Sequence, residues 1–157
     1  MLAAVVRGGA QYSKRPGGLF GRIKNYSSGK SSRSALSFDE AGKLISAAKS
    51  YRDKTLYSFL AASGCRQHEA LQIRIDDIDF KQRRVKLVNP FSRKIIGLSQ
   101  SEYSMLAWKG RATEETFLIE PFKMLFFEYL EHYFRHERIA HGLHDFIFQK
   151  RCGRPYW

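Results

Sequence analysis

Residues 56–79 constrain the fold more than any other part of the sequence. An apolar helical pattern ends at Gly64, Arg66 opens a second short helix, and a turn then leads towards a strand. An arginine fixed at such a junction can point its guanidinium into a cleft and hold a phosphate through two parallel hydrogen bonds. The alternative is a surface arginine that begins a helix, or one that pairs with Glu69 three residues on.

The charge of the chain favours a nucleic-acid partner. The 157 residues carry a net charge of +12 and the pI is near 9.9. A merely basic soluble protein would show the same balance. The charge is concentrated at the start, because no acid precedes Asp39. The candidate DNA contacts in this basic segment are Lys14, Arg15, Arg22, Lys24, Lys30 and Arg33.

The cysteine content and the apolar runs indicate where in the cell the protein is located. Cys65 and Cys152 are far apart and form no C-x-x-C spacing, so neither a disulfide framework nor a zinc site is indicated. Residues 1–6 are too short for a signal-peptide core, and no run approaches the length of a membrane span. We therefore expect a cytoplasmic protein, nucleoid-associated when bound to DNA, with no membrane partner.

Composition divides the chain into two parts. Residues 1–36 are rich in Gly, Ser, Lys and Arg, which predicts a flexible basic linker or arm. The folded domain is expected over 37–157, since Ser37 and Glu40 have the spacing of a capping box at the start of a helix.

The remaining pattern predicts further helices and short strands. Helices are expected at about 53–63 and 66–72, strands at 83–88 and 113–119, and an insertion with its own turn at 89–107. Pro121 suits the start of the longest helix. Its aromatic stripe predicts core packing rather than nucleobase stacking, and comprises Phe122, Leu125, Phe126, Tyr129, Leu130, Tyr133 and Phe134. Residues 146–148 predict a short buried strand or extended piece.

No metal site or cofactor is predicted. His132 and His136 lie four residues apart on the long helix, but no acidic ligand has matching spacing, which favours solvated or interface histidines. Asp76, Asp77 and Asp79 lack ligand spacing and are typical of a turn. Metal-dependent nuclease chemistry is therefore disfavoured.

The segment Gly64-Cys65-Arg66-Gln67-His68-Glu69-Ala70-Leu71 resembles the first arginine box of the tyrosine recombinases, the lambda-type phage integrases. That box typically has the pattern T-G-x-R-x-x-E-x-x-x-L. The resemblance runs from about Ser37 to Pro155. It implies an α+β, mostly α-helical fold with helices packed around a small antiparallel sheet. It also implies that Arg66 clamps the scissile phosphate and that Glu69 supports it from behind.

A second resemblance concerns Lys109. Tyrosine recombinases carry a lysine in a β-hairpin turn, commonly as G-K-G-x-K, and Lys109-Gly110 before the returning strand matches that order. The resemblance implies a general acid that protonates the departing 5′ oxygen of DNA. Ala112-Thr113-Glu114 departs from the usual basic continuation, so Arg93 and Lys94 are rival candidates and a solvated turn lysine is the plain alternative. Arg93, Lys94 and Arg111 are also candidate DNA contacts.

Other parts of the family pattern are expected beyond Trp157. His141 and His144 lack the arginine of the second box, and Tyr156 stands too early to be the nucleophile. The chain is therefore expected to be the first part of a catalytic domain that is inactive alone, so its status as an enzyme stays open.

The resemblance implies a site-specific DNA recombinase or integrase of a mobile genetic element. A tyrosine would cleave and rejoin DNA through a 3′-phosphotyrosine without metal or ATP. The implied partners are double-stranded DNA and further copies of the protein in a tetrameric synapse. The alternatives are a non-catalytic basic DNA- or RNA-binding module and a structural protein of a nucleoprotein assembly.

Overall fold

The computed structural model describes residues 35–140 and 143–157. In this part of the chain, helices are packed around a small three-stranded antiparallel sheet, which confirms the predicted fold class. The basic segment with Lys14, Arg15, Arg22, Lys24, Lys30 and Arg33 lies outside the described residues, as does His141. The helices are α1 (Phe38–Ala47), α2 (Tyr51–Ser63), α3 (Gln67–Leu71), α4 (Gln100–Ser104) and α5 (Phe122–His136); the strands are β1 (Ile78–Asp79), β2 (Arg84–Lys86) and β3 (Glu115–Thr116). Single 3₁₀ turns occur at Ile75–Asp77 and Pro90–Ser92.

The sheet has the order β1-β2-β3, with both pairs antiparallel. In β2, Val85 is buried between exposed neighbours, as expected for a strand with one face on the core. The strands are shorter than predicted. After β3 the chain leaves the sheet, and the Ile119 N–H donates to the carbonyl of Ala62 at the end of α2 (3.0 Å). The β-compatible residues 117–119 thus connect the sheet to α2, and Phe117 is left 83% exposed.

The core lies mainly between α2 and α5. The rings of Phe59 and Phe126 pack with their centroids 5.0 Å apart, and both side chains are fully buried. Such a tilted aromatic pair contributes about 0.5–1.5 kcal/mol beyond the area that it buries. The aromatic stripe of α5 is confirmed as core: most of its members are buried and the rest pack against the cluster. Phe127, which the predicted stripe omitted, is buried as well.

Local signals and one distant residue set the helix ends. Ser37 and Glu40 form the predicted capping box of α1. The start of α2 was predicted too late. The carboxylate of Glu137, just past α5, accepts hydrogen bonds from the backbone N–H groups of Tyr51 (2.7 Å) and Arg52 (3.0 Å). An acid from a distant element therefore satisfies the otherwise unpaired donors of the first turn of α2.

The segment 143–157 closes the core as extended chain. The Ile147 N–H donates to the carbonyl of Ile73 (3.0 Å), and the buried Tyr133 hydroxyl donates to the carbonyl of Ile147 (3.1 Å). Its end is tied to α4, because Arg154 forms an ion pair with Glu102. Hydrogen bonding from Arg154 lowers the pKa of Glu102 to about 2, so this contact keeps its charges well into the acid range.

We predict opposite effects for two glycine substitutions. Gly97 has φ 83°, and an added Cβ would overlap the carbonyl of Leu143, so Gly97→Ala should cost at least about 2 kcal/mol of unfolding free energy. Gly42 lies inside α1 with open space around it, so Gly42→Ala should add about 0.5–1 kcal/mol. Urea denaturation of the two variants measures both values. A neutral Gly97→Ala would show that the approach to residue 143 is dispensable.

Candidate phosphate-binding site at Arg66

Arg66 lies at the junction between α2 and α3. Gly64 ends α2 in the left-handed region (φ 60°), which a residue with a Cβ adopts only at a cost. Arg66 itself has an extended backbone and immediately precedes α3, so the helix begins one residue later than predicted from the sequence. Its backbone N–H donates to Oε2 of Glu69 (3.0 Å). The backbone that carries the guanidinium is thus held by the helix that it precedes.

Glu69 is the centre of the site. Its side chain has no accessible surface, yet it meets two cations. Oε1 accepts a hydrogen bond from Nη1 of Arg66 (2.9 Å), and Oε2 accepts one from Nη1 of Arg111 (2.9 Å). The Arg66 side chain remains 52% exposed, whereas the Arg111 side chain is 25% exposed. A single buried carboxylate therefore bridges two guanidiniums that stand at the surface.

These groups line an open cleft of about 450 Å³. One wall is the α2–α3 junction and the other is the turn before β3. Two cations and one anion leave the cleft with one net positive charge, which suits one singly charged phosphodiester. The described lining residues are Gly64, Cys65, Arg66, Glu69, Gly110, Arg111, Ala112 and Thr113, and none of them is a tyrosine.

Two titrating groups report the electrostatics of the cleft. Burial raises the pKa of Glu69, but the hydrogen bonds from the backbone and side chain of Arg66 and the charge of Arg111 lower it by more, so the pKa lies below its ordinary value. Burial raises the pKa of the Cys65 thiol, and the charge of Arg111 opposes that shift. Glu69 is thus an anion at neutral pH and Cys65 a thiol.

The structure brings Arg111 into the cleft and leaves Lys109 at the exposed turn beside it. The catalytic role of Lys109 stays a prediction. Sequence reasoning named Arg111 only as a DNA contact and missed its bond to Glu69. The one available signal was its place two residues after Lys109, in a turn that the resemblance had already aligned with the arginine box.

The rival candidates Arg93 and Lys94 have different surroundings. Arg93 holds the buried Asp77 through two parallel hydrogen bonds of 2.6 and 2.7 Å, which anchors its loop to the turn before β1. Lys94 is exposed, and its carbonyl accepts a hydrogen bond from Arg74 (3.5 Å). Contacts of Arg93 and Lys94 with DNA stay predictions. The predicted insertion at 89–107 holds the 3₁₀ turn and α4.

The histidines have structural neighbours. Tyr51 stacks on His132 with a centroid distance of 5.0 Å, and His136 lies 5.9 Å from the same ring. Nε2 of the buried His144 lies 2.9 Å from the carbonyl oxygen of Gly153. Within 35–140 and 143–157, no three His, Cys, Asp or Glu side chains are grouped to hold a metal ion. The helices in those ranges are too short or too polar to cross a membrane.

We predict that Glu69 stabilises the fold in a pH-dependent manner. Because folding lowers its pKa, its contribution is fully present above the ordinary glutamate pKa of about 4.3 and is lost as pH falls through the folded value. Glu69→Gln should cost about 1–3 kcal/mol at pH 7 and less in acid, measured by urea denaturation. The exposed pair of Glu131 and Arg135 provides the control, since Glu131→Gln should change stability by less than about 0.5 kcal/mol. Equal losses at both pH values would contradict the assignment.

Comparison with known proteins agrees with the fold and identifies the family. The Phage integrase family matches residues 34–156. Among solved structures, the chain is similar to one described as a crystal structure of XerA recombinase, with a TM-score of 0.55 and 21% sequence identity. The similarity covers 79% of this chain and 37% of that one. No curated protein matches the sequence significantly. The chain belongs to the phage integrase family, the tyrosine recombinases.

Proposed function

We propose that this chain contributes the phosphate-binding side of the active site of a tyrosine recombinase, which cleaves and rejoins double-stranded DNA through a 3′-phosphotyrosine. One observation carries the proposal. Arg66 stands at a fixed helix junction, bound through Nη1 to a buried carboxylate, while half of its side chain faces an open cleft. A guanidinium in this setting is oriented before DNA arrives, so little reorganisation is needed when a phosphate binds.

The reaction needs charge stabilisation above all. In the proposed step a tyrosine oxygen attacks the phosphorus, a phosphotyrosine bond forms, and the bond to the 5′ oxygen breaks. Arg66 stabilises the negative charge on the non-bridging oxygens as the transition state forms. The energy of the broken ester is kept in the new one, so the reverse step with another 5′ hydroxyl rejoins the strand without ATP.

The leaving 5′ oxygen needs a proton, and Lys109 is the proposed donor. Its exposed position in the turn next to Arg111 gives an ammonium group access to DNA that lies along the cleft. The tyrosine must come from outside the described lining, since that lining contains none. The proposed active site is therefore assembled from the Arg66 cleft and a nucleophile supplied by another segment or another copy.

The partner in this proposal is double-stranded DNA. The net charge of +12 supports binding along the phosphate backbone, with the segment 1–36 as a basic arm and Lys94 and Arg93 as further contacts. We further propose that the protein acts on DNA in the cytoplasm, as part of a mobile element, and that its copies assemble as a tetramer around two DNA duplexes.

A second candidate is a non-catalytic module that binds DNA or RNA through the same cleft. The net positive charge of the cleft supports it, because that charge suffices to attract a phosphate without any chemical step. Both candidates lose affinity steeply with added salt, because phosphate binding releases counterions in either case. Covalent attachment to DNA separates them.

We predict that Arg66→Ala in the full-length protein lowers the rate of DNA cleavage by at least about 10²-fold, since one preorganised donor to the developing charge is lost. Equilibrium affinity for the duplex should change by less than about tenfold, because many other cations bind the backbone. The measurement is the covalent protein–DNA adduct formed on a nicked substrate and resolved by denaturing electrophoresis. Arg135→Ala, which removes the same charge from the exposed face of α5, is the matched control.

The outcomes are distinct. Cleavage by Arg66→Ala at the unmodified rate would overturn the role of Arg66. An unmodified protein that binds duplex DNA but forms no adduct on any nicked substrate would support the non-catalytic candidate.

A further inference from the structure

We propose that Arg111 is a positioning residue for Arg66: by sharing the buried carboxylate of Glu69, it leaves Arg66 with positive charge to offer a phosphate. The inference rests on the proposed function, because it concerns the same cleft. It assigns Arg111 a role distinct from both the general acid and an ordinary backbone contact.

The two arginines bind different oxygens of the Glu69 carboxylate. Arg66 takes Oε1 of Glu69 and Arg111 takes Oε2, each through its own Nη1 at 2.9 Å. Arg111 is the less exposed of the two cations, at 25% against 52% for Arg66. Arg111 is therefore turned inward on the carboxylate, whereas Arg66 reaches the carboxylate with one nitrogen and keeps half of its surface towards the cleft.

The charge of the site depends on this arrangement. Arg66 with Glu69 alone would form a neutral pair, and its attraction for a phosphate would be largely cancelled by the carboxylate beside it. Adding Arg111 makes the cluster a monocation. Because Glu69 has no accessible surface, solvent screens its charge poorly, and a second cation in direct contact is an effective means of offsetting it.

Another ion pair in the same chain provides the contrast. Asp77 is also buried, and among the described residues Arg93 is the one cation paired with it, through Nη1 and Nη2, so that pair is neutral. Such a pair anchors a loop and has little net charge with which to attract a phosphate. The Glu69 cluster differs because it contains two cations for one carboxylate and therefore has a net positive charge.

The chemistry of arginine fits a positioning role. A guanidinium stays protonated throughout the working pH range, so Arg111 cannot donate a proton to a leaving oxygen. Its planar donors suit a fixed carboxylate oxygen. The turn would thus carry two cations with separate tasks, proton donation by Lys109 and charge compensation by Arg111.

Phosphodiester binding tests the inference in the 157-residue chain. The probe is dimethyl phosphate, and the readout is the amide shifts of Gly64 and Gly110 in ¹⁵N NMR titrations of the Arg111→Gln, Arg111→Lys and Glu69→Gln/Arg111→Gln variants. Arg111→Gln should weaken binding about five- to tenfold, and Arg111→Lys should restore most of it, because the charge is kept. The double variant should regain most of the binding, since removing the carboxylate leaves no charge for Arg111 to offset. Arg135→Gln is the matched loss of charge and should leave binding unchanged.

The Cys65 thiol gives a second, local readout. In a Cys152→Ser background, the pKa of Cys65 measured by thiol alkylation should rise in Arg111→Gln and return in Arg111→Lys, because the charge of Arg111 lowers it. An unchanged pKa would show that Arg111 does not act on the cleft. Thermal unfolding confirms that each variant is folded.

Three results would overturn the inference: no titratable shift in the unmodified chain, full binding by Arg111→Gln, or binding by the double variant that is as weak as that of Arg111→Gln. The last result would mean that Arg111 contacts the phosphate itself. These outcomes are separate from failure of the proposed function. If full-length Arg66→Ala cleaves DNA normally while Arg111→Gln still weakens dimethyl phosphate binding, the cleft binds phosphate without catalysing.

Discussion

A charged carboxylate without accessible surface needs hydrogen-bond donors or cations to offset the cost of its burial. Glu69, which lines the cleft, is such a group. It receives donors from the Arg66 backbone, the Arg66 side chain and the Arg111 side chain. Two of these come from the helix junction that Glu69 follows, and the third comes from the turn that leads to β3. The cost of burying the charge is thereby offset only when both walls of the cleft are in place. Forming the site therefore requires the segment before β3 to lie against the α2–α3 junction.

The same use of acids recurs across the fold. The chain has 15 acidic and 27 basic residues, and several of its acids are bound to internal donors. Asp77 holds the loop of Arg93, Glu102 holds the C-terminal segment through Arg154, and Glu137 caps α2. Each internal acid ties together elements that are distant in sequence. The net charge of +12 over the whole chain suits a protein that meets a polyanion.

The part of the fold that sequence could predict is the part specified by local chemistry. The capping box at Ser37, the stop at Gly64 and the apolar stripe of α5 are written in neighbouring residues, and each was placed correctly. The start of α2 was misplaced although Ser50 is a local cap that accepts a hydrogen bond from the Asp53 N–H; the additional acceptor, Glu137, comes from far along the chain. Strand β3 was overpredicted because residues 117–119 have β-branched and aromatic character but bond to α2 instead of the sheet.

The site divides in the same way. The pairing of Arg66 with Glu69 follows from a spacing of three residues at a helix start, and sequence reasoning weighed it. The bond between Arg111 and the same carboxylate joins positions 42 residues apart, and no local pattern encodes it. Likewise, Arg93 has the local pattern of a surface cation, and only the folded structure shows that it binds Asp77. The sequence shows which residues are charged, but which of them form ion pairs depends on how the chain folds.

Under the proposed function, affinity and chemistry rest on different arginines and lysines. Affinity for a duplex depends on the number of phosphates neutralised, so it is spread over many exposed cations and each contributes a small part. Transition-state stabilisation depends on orientation, so it concentrates in the few groups that the fold holds still. Arg66 is held by a buried acid at a helix junction, and that acid is itself balanced by Arg111. Arg66 combines this anchoring with a guanidinium that stays half exposed to the cleft, which an arginine that only anchors a loop lacks.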